Sequence, residues 1–166
     1  IPQMNAKSAM NYIQAEQTQR TGKLNLTGCG LNALPLELTE MDWLEALYLS
    51  PISYTSSQLT GITESSPNAF EKLVDNFLYR APKEISALKK LKTLVLCDGI
   101  FTDLDFLKSL DQLEYLFLHR LSVADLSPIS HLRSLRVLDV SNSGVYDLRP
   151  LAALSDLEVL IADESR

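Results

Sequence analysis

Leucine returns at a fixed interval through the second half of this chain, and no other feature constrains the fold as strongly. Leu91, Leu113, Leu135 and Leu157 stand 22 residues apart. Three positions on come Leu94, Leu116, Leu138 and Leu160, and two further on Leu96, Leu118, Val140 and Ala162. Later in the same unit lie Leu104, Leu126 and Leu148, then Leu107, Ile129 and Leu151, then Leu110, Leu132 and Leu154. Asp103, Asp125 and Asp147 keep the same phase. A constant period of this length marks stacked supersecondary units. Each unit reads LxxLxL, a loop, then DLxxLxxL. The alternating part suits a strand with one buried face. The part that repeats every third residue suits a 3₁₀ or helical turn. Neither can bury its apolar face alone, so successive units must stack into one leucine core.

The stretch ADLSPISHLRSLRVLDVSNSGVYDLRPLAALSDLEVL closely resembles the 22-residue class of leucine-rich repeat found in bacterial internalins and eukaryotic phosphatase-regulator proteins. Upstream, TGKLNLTGCGLNALPLELTEMDWLEALYLS resembles the 23-residue bacterial class, with its LxLxxxxLxxLPxxL signature. Leu24, Leu26, Leu31, Leu34 and Pro35 fill that signature, and Leu44, Leu47 and Leu49 open the next unit. The resemblance covers residues 21–54 and 82–162. It implies an α/β solenoid, a right-handed arc or horseshoe with a short parallel sheet on its concave side and helical or 3₁₀ turns on its convex side.

Two departures stand out. The family places Asn or Cys at the ninth position, where it bonds backbone groups in the turn of the stack. That column here reads Cys29, Ile52, Gly99, Leu121 and Ser143. Leu121 and Ile52 cannot donate, so local irregularity is expected and the backbone groups there need other partners. The second departure is length: Leu44 to Leu91 spans 47 residues, about two units, and the second is hard to find. A frame starting at Asn68 would put Asn76 at the ninth position and Pro82 at the proline site, but also Asn68 and Glu71 in leucine columns. The favoured reading is an inserted helix, capped by Ser66 with Pro67 at its first turn. Phe70, Leu73, Val74, Phe77 and Leu78 would form its apolar face. Residues 54–65, polar and rich in Ser and Thr, read as a loop.

The domain reading follows. Residues 1–20 form an N-terminal capping helix, covering the first rung as a solenoid requires. Residues 21–166 form the repeat domain, with an insertion over about 55–80 and no C-terminal cap in view. A helix followed by such repeats is similar to the entry into repeat domains of Roco-type GTPases, NLR-like sensors and secreted effectors, so the chain reads as a bacterial fragment of something larger.

Composition narrows function by exclusion. With 15 basic and 21 acidic residues the net charge is −6, and the basic excess that nucleic-acid binding draws on is missing. The same balance argues against anionic membranes. Cys29 and Cys97 lie far apart with no CxxC, which offers no zinc spacing and suits two small buried thiols in a reducing compartment. No cofactor motif such as GxxxxGK[ST] or GxGxxG occurs. The Asp column reads as turn chemistry, with Asp105, Ser127 and Arg149 as helix caps and Arg149 the poorest of them. His119 lies one repeat along from Cys97, but a nucleophile also needs a third, orienting group.

What remains is recognition. Side chains between the buried leucines of a strand point to the concave face. These are Tyr48, Val95, Tyr115, Phe117, Val137, Asp139, Val159 and Ile161, with Cys97, Asp98, His119 and Arg120 at the strand ends. Large aromatics and Arg on an open face are typical of binding hot spots. The expected function is non-catalytic recognition of a protein partner, or of other domains of the parent chain. The site would comprise Tyr48, Val95, Asp98, Tyr115, Phe117, His119, Arg120, Val137, Asp139 and Ile161, without metal or cofactor. The alternatives are a substrate-selecting or autoinhibitory domain of an enzyme (a Roco-type GTPase, a ubiquitin-ligase-like effector or an NTPase sensor) and a bacterial surface adhesin. The expected location is cytoplasmic, with a secreted effector or the cell surface as alternatives.

Overall fold

The computed structural model describes residues 2–50, 58, 60–62 and 76–163, with side chains from residue 9 onward. Six short strands form one parallel sheet in chain order: β1 Lys23–Asn25, β2 Ala46–Tyr48, β3 Thr93–Gly99, β4 Tyr115–Leu121, β5 Val137–Asp139 and β6 Val159–Ile161. Parallel neighbours need a crossover, and among the described residues each crossover carries a 3₁₀ turn: Leu36–Glu40, Lys83–Ala87, Asp105–Leu107, Ser127–Ile129 and Arg149–Leu151. The register sets Leu24, Leu47, Leu94, Leu116, Leu138 and Leu160 in one row across the sheet. That row packs with Leu107, Leu110, Leu113 and their counterparts from the 3₁₀ side into one continuous core. The fixed period thus does what elementary packing demands, one rung per unit and one shared interior.

The Asp column makes the turns. Asp103, Asp125 and Asp147 each accept, through Oδ1, the backbone N–H two residues on, at 2.7, 2.9 and 3.0 Å. The Asp acts from one residue outside the turn: the cap positions are Leu104, Leu126 and Leu148, and Asp105, Ser127 and Arg149 are the first residues of the 3₁₀ turns rather than their caps. Nor is the Arg149 turn looser, since its guanidinium also grips Asp147 at 2.9 and 2.8 Å.

In β1 and β5 the fifth position of the unit ends the strand. Asn25 and Asp139 occupy it in β1 and β5, and their Oδ1 atoms accept the N–H two residues on, from Thr27 and Ser141. That bond turns the backbone out of the sheet, and both strands are three residues long. Val95 and Phe117 have no oxygen to offer, and β3 and β4 run on for seven residues. The extension also resolves the missing donors of the ninth column: Gly99 and Leu121 pair with each other as strand residues. Gly99 takes a second neighbour, bridging to Leu78, and a Cβ there would lie 2.8 Å from the Leu78 carbonyl oxygen. At the eighth position the chain turns through left-handed backbone, with φ of 73° at Gly28, 60° at Asp98, 49° at Arg120 and 55° at Asn142.

The expected inserted helix does not reach residues 76–80, which are not helical and belong to the stack; the rest of it, at 66–75, lies outside the described residues, while Gln58 and Thr60, expected in a loop, are helical. Asn76 is buried at a ninth position. Its Nδ2 donates to the carbonyls of Leu26 and Leu49 at 2.9 and 2.7 Å, and its Oδ1 accepts from Leu31 N–H at 2.7 Å. Leu78, Ala81, Pro82, Ile85 and Leu88 then match Leu31, Leu34, Pro35, Leu38 and Met41 of the preceding unit. Leu44 to Leu91 is therefore one unit split in its turn. It spans 47 residues against 23 from Thr21 to Leu44, so 24 are extra. They enter after Ser50 and end before Asn76.

The first rung is covered by α1 Pro2–Gln19, which buries Ala9 and Ile13 in the core. Glu16 fixes its end: its carboxylate accepts from Gly22 N–H at 2.8 Å, Trp43 Nε1 at 3.0 Å and the Thr21 hydroxyl. Along the rim where each strand begins runs a column of charge that alternates in sign: Glu45, Lys92, Glu114, Arg136, Glu158. Their backbones are joined in series, each N–H from Lys92 onward donating to the carbonyl of the residue before it in the column, at 2.7–2.9 Å. Lys92 pairs with Glu45 at 3.8 Å and Arg136 with Glu158 at 3.1 Å.

Candidate functional site on the inner face of the sheet

The side chains between the leucines build a second apolar cluster on the opposite face of the sheet. Val95, Cys97, Phe117 and Val137 form it, and Tyr48, Ile62, Tyr115 and Val159 pack against it. Strand alternation places these residues as expected. Their exposure does not follow the expectation of an open strip. Phe117 and Val95 have 0% of their surface accessible, and Val137, Asp139, His119 and Ile161 are also buried. Ile62, from the connection between β2 and β3, lies against this wall. A partner approaching this face meets only Tyr48, Tyr115, Asp98 and Arg120 among the ten residues assigned to the site, the first three half-buried and Arg120 exposed.

The polar groups are arranged in pairs across adjacent rungs. Arg120 holds Asp98 bidentately, Nε to Oδ1 at 2.6 Å and Nη2 to Oδ2 at 2.8 Å. Two planar groups matched this way fix each other's orientation. Both residues stand at the left-handed eighth position, which aims their side chains along the same edge of the sheet. Tyr115 accepts a hydrogen bond at its hydroxyl from Arg136 Nη1 at 2.9 Å, while the guanidinium also grips Glu158 at 3.1 and 3.2 Å. Donating these bonds to the Glu158 carboxylate, together with its charge, raises the Arg136 pKa above its ordinary value. Beside them an open groove of about 690 Å³ is lined by Lys92, Glu114, Arg136, Asp156 and Glu158.

Cys97, His119 and Asp139 follow one another on three successive strands. Cys97 and His119 are register partners, and His119 Nε2 lies 2.6 Å from Asp139 Oδ2 without the alignment of a hydrogen bond. The order is that of a nucleophile, base and orienting acid, but the thiol is set against it. Burial pushes the Cys97 pKa up to about 11, although the Ser50 hydroxyl and the His119 backbone pull it down. A cysteine nucleophile needs the thiolate near neutrality, so this environment favours an inert thiol. Asp139 spends its other oxygen on Ser141 N–H at 3.0 Å. Its part in the fold is to end β5. His131 is exposed on the convex side and bonds the Lys108 carbonyl through Nε2 at 2.6 Å. Among the described residues no three His, Cys, Asp or Glu side chains gather as metal ligands would.

Reading the sequence alone missed an exposed apolar group on the flank. Phe77 and Tyr79 are exposed and meet edge to face with ring centroids 5.4 Å apart, and Ile100 is exposed on the next rung. A signal was present: Asn76 and Leu78 occupy the inward ninth and eleventh columns, so Phe77 and Tyr79 between them must point out. The reading as a helix hid that alternation.

The geometry of this sheet, with one rung per period, its row of leucines and its 3₁₀ returns, can be compared with solved structures. An internalin, inlF, from Listeria monocytogenes is similar at 23% identity and a TM-score of 0.58, the match covering 87% of this chain and 41% of that one. The fold is a leucine-rich repeat solenoid. The repeat ectodomain of the receptor kinase SOBIR1 from Arabidopsis thaliana is similar at 20% identity and a TM-score of 0.56, over 82% of this chain and 64% of that one. The ectodomain of GASSHO1/SCHENGEN3 from Arabidopsis thaliana, in complex with CASPARIAN STRIP INTEGRITY FACTOR 2, is similar at 25% identity and a TM-score of 0.53, over 79% and 17%. The chain thus spans less than two thirds of the length of each of these solenoids. No family model and no curated protein sequence matches it.

Proposed function

We propose that this solenoid is a non-catalytic recognition module that holds a protein or peptide partner on the inner face of its sheet. The observation that carries the reading is the second apolar cluster. A solenoid is held together by its leucine core, and Val95, Phe117 and Val137 lie on the other side of the sheet. The half-buried Tyr48 and Tyr115 set over that buried cluster, rimmed by an Arg–Asp pair and a Tyr–Arg pair, have the composition of a binding patch. Orientation of the partner falls to Arg120, Asp98 and Tyr115. The thiols of Cys29 and Cys97, both free, fit a reducing compartment, and the cytoplasm is where we place the protein.

A peptide library displayed on phage and selected on the wild-type chain tests this. Enriched peptides should bind at least about tenfold more weakly to a Tyr115→Ala, Arg120→Glu double variant that melts like wild type, as loss of one aromatic and one charged anchor implies. Peptides that bind both chains equally, or no enrichment at all, would defeat the reading.

A further inference from the structure

The charges along the rim where the strands begin do not cancel. We propose that the groove beside them is a second contact site, in which Glu114 takes an arginine side chain of the bound peptide. That a peptide supplies the arginine rests on the recognition reading, whereas the arginine site rests on the groove itself.

The ion pairs of the rim column run outward from its centre. Lys92 turns to Glu45 at 3.8 Å. Arg136 spends Nε and Nη2 on Glu158 and Nη1 on the Tyr115 hydroxyl. Glu114 stands between these two cations and is tied to both through its backbone. Its side chain is half-buried, and no described residue donates a hydrogen bond to its carboxylate. A carboxylate has about four acceptor sites, and one drawn partly out of water is served best by a charged donor.

The groove gives that donor a place. Two residues before the charged column runs another, Gln112, Ser134 and Asp156, and both line the groove. Three carboxylates, Glu114, Asp156 and Glu158, stand there against Lys92 and Arg136, so the lining is net negative and draws a cation rather than an anion. The acceptors favour arginine over lysine. The Gln112 amide oxygen and the Ser134 hydroxyl add neutral acceptors, and a planar guanidinium with five N–H donors meets a carboxylate and a neighbour together, where an ammonium is a point charge. Tyr115 joins the groove to the inner wall. It packs against the apolar cluster there, and its hydroxyl accepts from Arg136, which lines the groove. The partner that fits is a peptide with an apolar or aromatic anchor for the wall and an arginine within a few residues of it.

Nuclear magnetic resonance titration of the isotope-labelled chain with Nα-acetyl-arginine amide tests the site without a peptide. Backbone signals of residues 112–115 and 134–137 should shift and saturate. The citrulline analogue, of the same shape without the charge, should leave them in place. Glu114→Gln should weaken the arginine compound by about fivefold or more, as loss of a charged acceptor implies. Glu114→Asp, which keeps the charge, should retain the preference for arginine over citrulline. Glu40→Gln removes an exposed carboxylate outside the groove and should change nothing. Arginine and citrulline compounds that act alike, shifts that miss these rungs, or a Glu114→Gln chain that binds arginine as well as wild type would overturn the proposal. If Glu114→Gln fails to fold, an Asp variant without the preference overturns it equally.

Peptides enriched on the wild-type chain should weaken by a similar factor when their arginine is replaced by citrulline, and the Glu114→Gln chain should not tell the two apart. Enriched peptides without arginine, or indifferent to Glu114→Gln, would also overturn it. If the arginine compound binds as described and no peptide is ever enriched, it is the recognition reading that fails instead.

Discussion

At the scale of single residues, Asn76 ties two rungs of the stack together from a buried position. It joins two successive carbonyls, Leu26 and Leu49, and the N–H of Leu31, all inside the turn column. Asn76→Ala should cost about 3 kcal/mol, since it strands buried backbone groups that no water replaces. Urea unfolding would show this as a lower midpoint with an unchanged slope. A change under about 0.5 kcal/mol would mean that the groups find other partners. The residue was only half legible in the sequence. Its place at a ninth position appears in a frame that begins at Asn68, and that frame fails because it assumes a whole unit. A search for whole units cannot find one that is cut open at its eighth residue. The Asp turns were fully legible, because an Asx turn needs nothing beyond two neighbouring residues. The burial of Phe117 was not, because the cluster it belongs to draws side chains from rungs and a connection far apart in the chain, Tyr48, Ile62 and Val159 among them.

At the scale of elements, α1 shows how a polar helix can still be fixed to an apolar rung. Among the described residues it buries Ala9 and Ile13 in the core and packs Met10 and Tyr12 against it, and Glu16 adds a polar anchor. Burial alone would raise the Glu16 carboxyl. The hydrogen bonds from Thr21, Trp43 and Gly22 together outweigh it and hold the pKa below the usual carboxylate range. A group whose pKa is lower folded than unfolded stabilises the fold fully above the unfolded value, and that contribution fades as pH falls through the folded one. Glu16→Gln should therefore destabilise the chain at neutral pH, with the gap to wild type closing as pH drops from about 6 to about 3. Thermal melts across that range check it, and a gap that stays constant would assign the effect to shape rather than charge. The presence of this helix could be read from the sequence, whereas its anchor could not, since Glu16 and Trp43 lie 27 residues apart. The short β1 and β5 have a local cause that could be read from the sequence, the side-chain oxygens of Asn25 and Asp139, whereas the length of β3 and β4 could not, since Tyr48 and Ile161 also lack that oxygen and end three-residue strands.

At the scale of the whole molecule, a solenoid has no single centre, and each rung is stabilised by its neighbours. Leu138 lies between two rungs and is 0% exposed, whereas Leu160 holds the same column on β6 and is 39% exposed. Leu138→Ala should cost about 2–5 kcal/mol, and Leu160→Ala under about 1 kcal/mol. Equal losses in a denaturant titration would show that the column is not what couples the rungs. The architecture was legible for the same reason, since periodicity is a property of the whole chain and survives local departures. The leucine core has one weakness, in that every rung presents it with the same side chain. A folding chain that skipped a rung would bury its leucines nearly as well. The alternating column at the strand starts does not tolerate that error: joining β2 directly to β4 would set Glu45 beside Glu114, and joining β3 to β5 would set Lys92 beside Arg136. Like charges one strand apart repel. The rim therefore proofreads a stacking order to which the interior is blind.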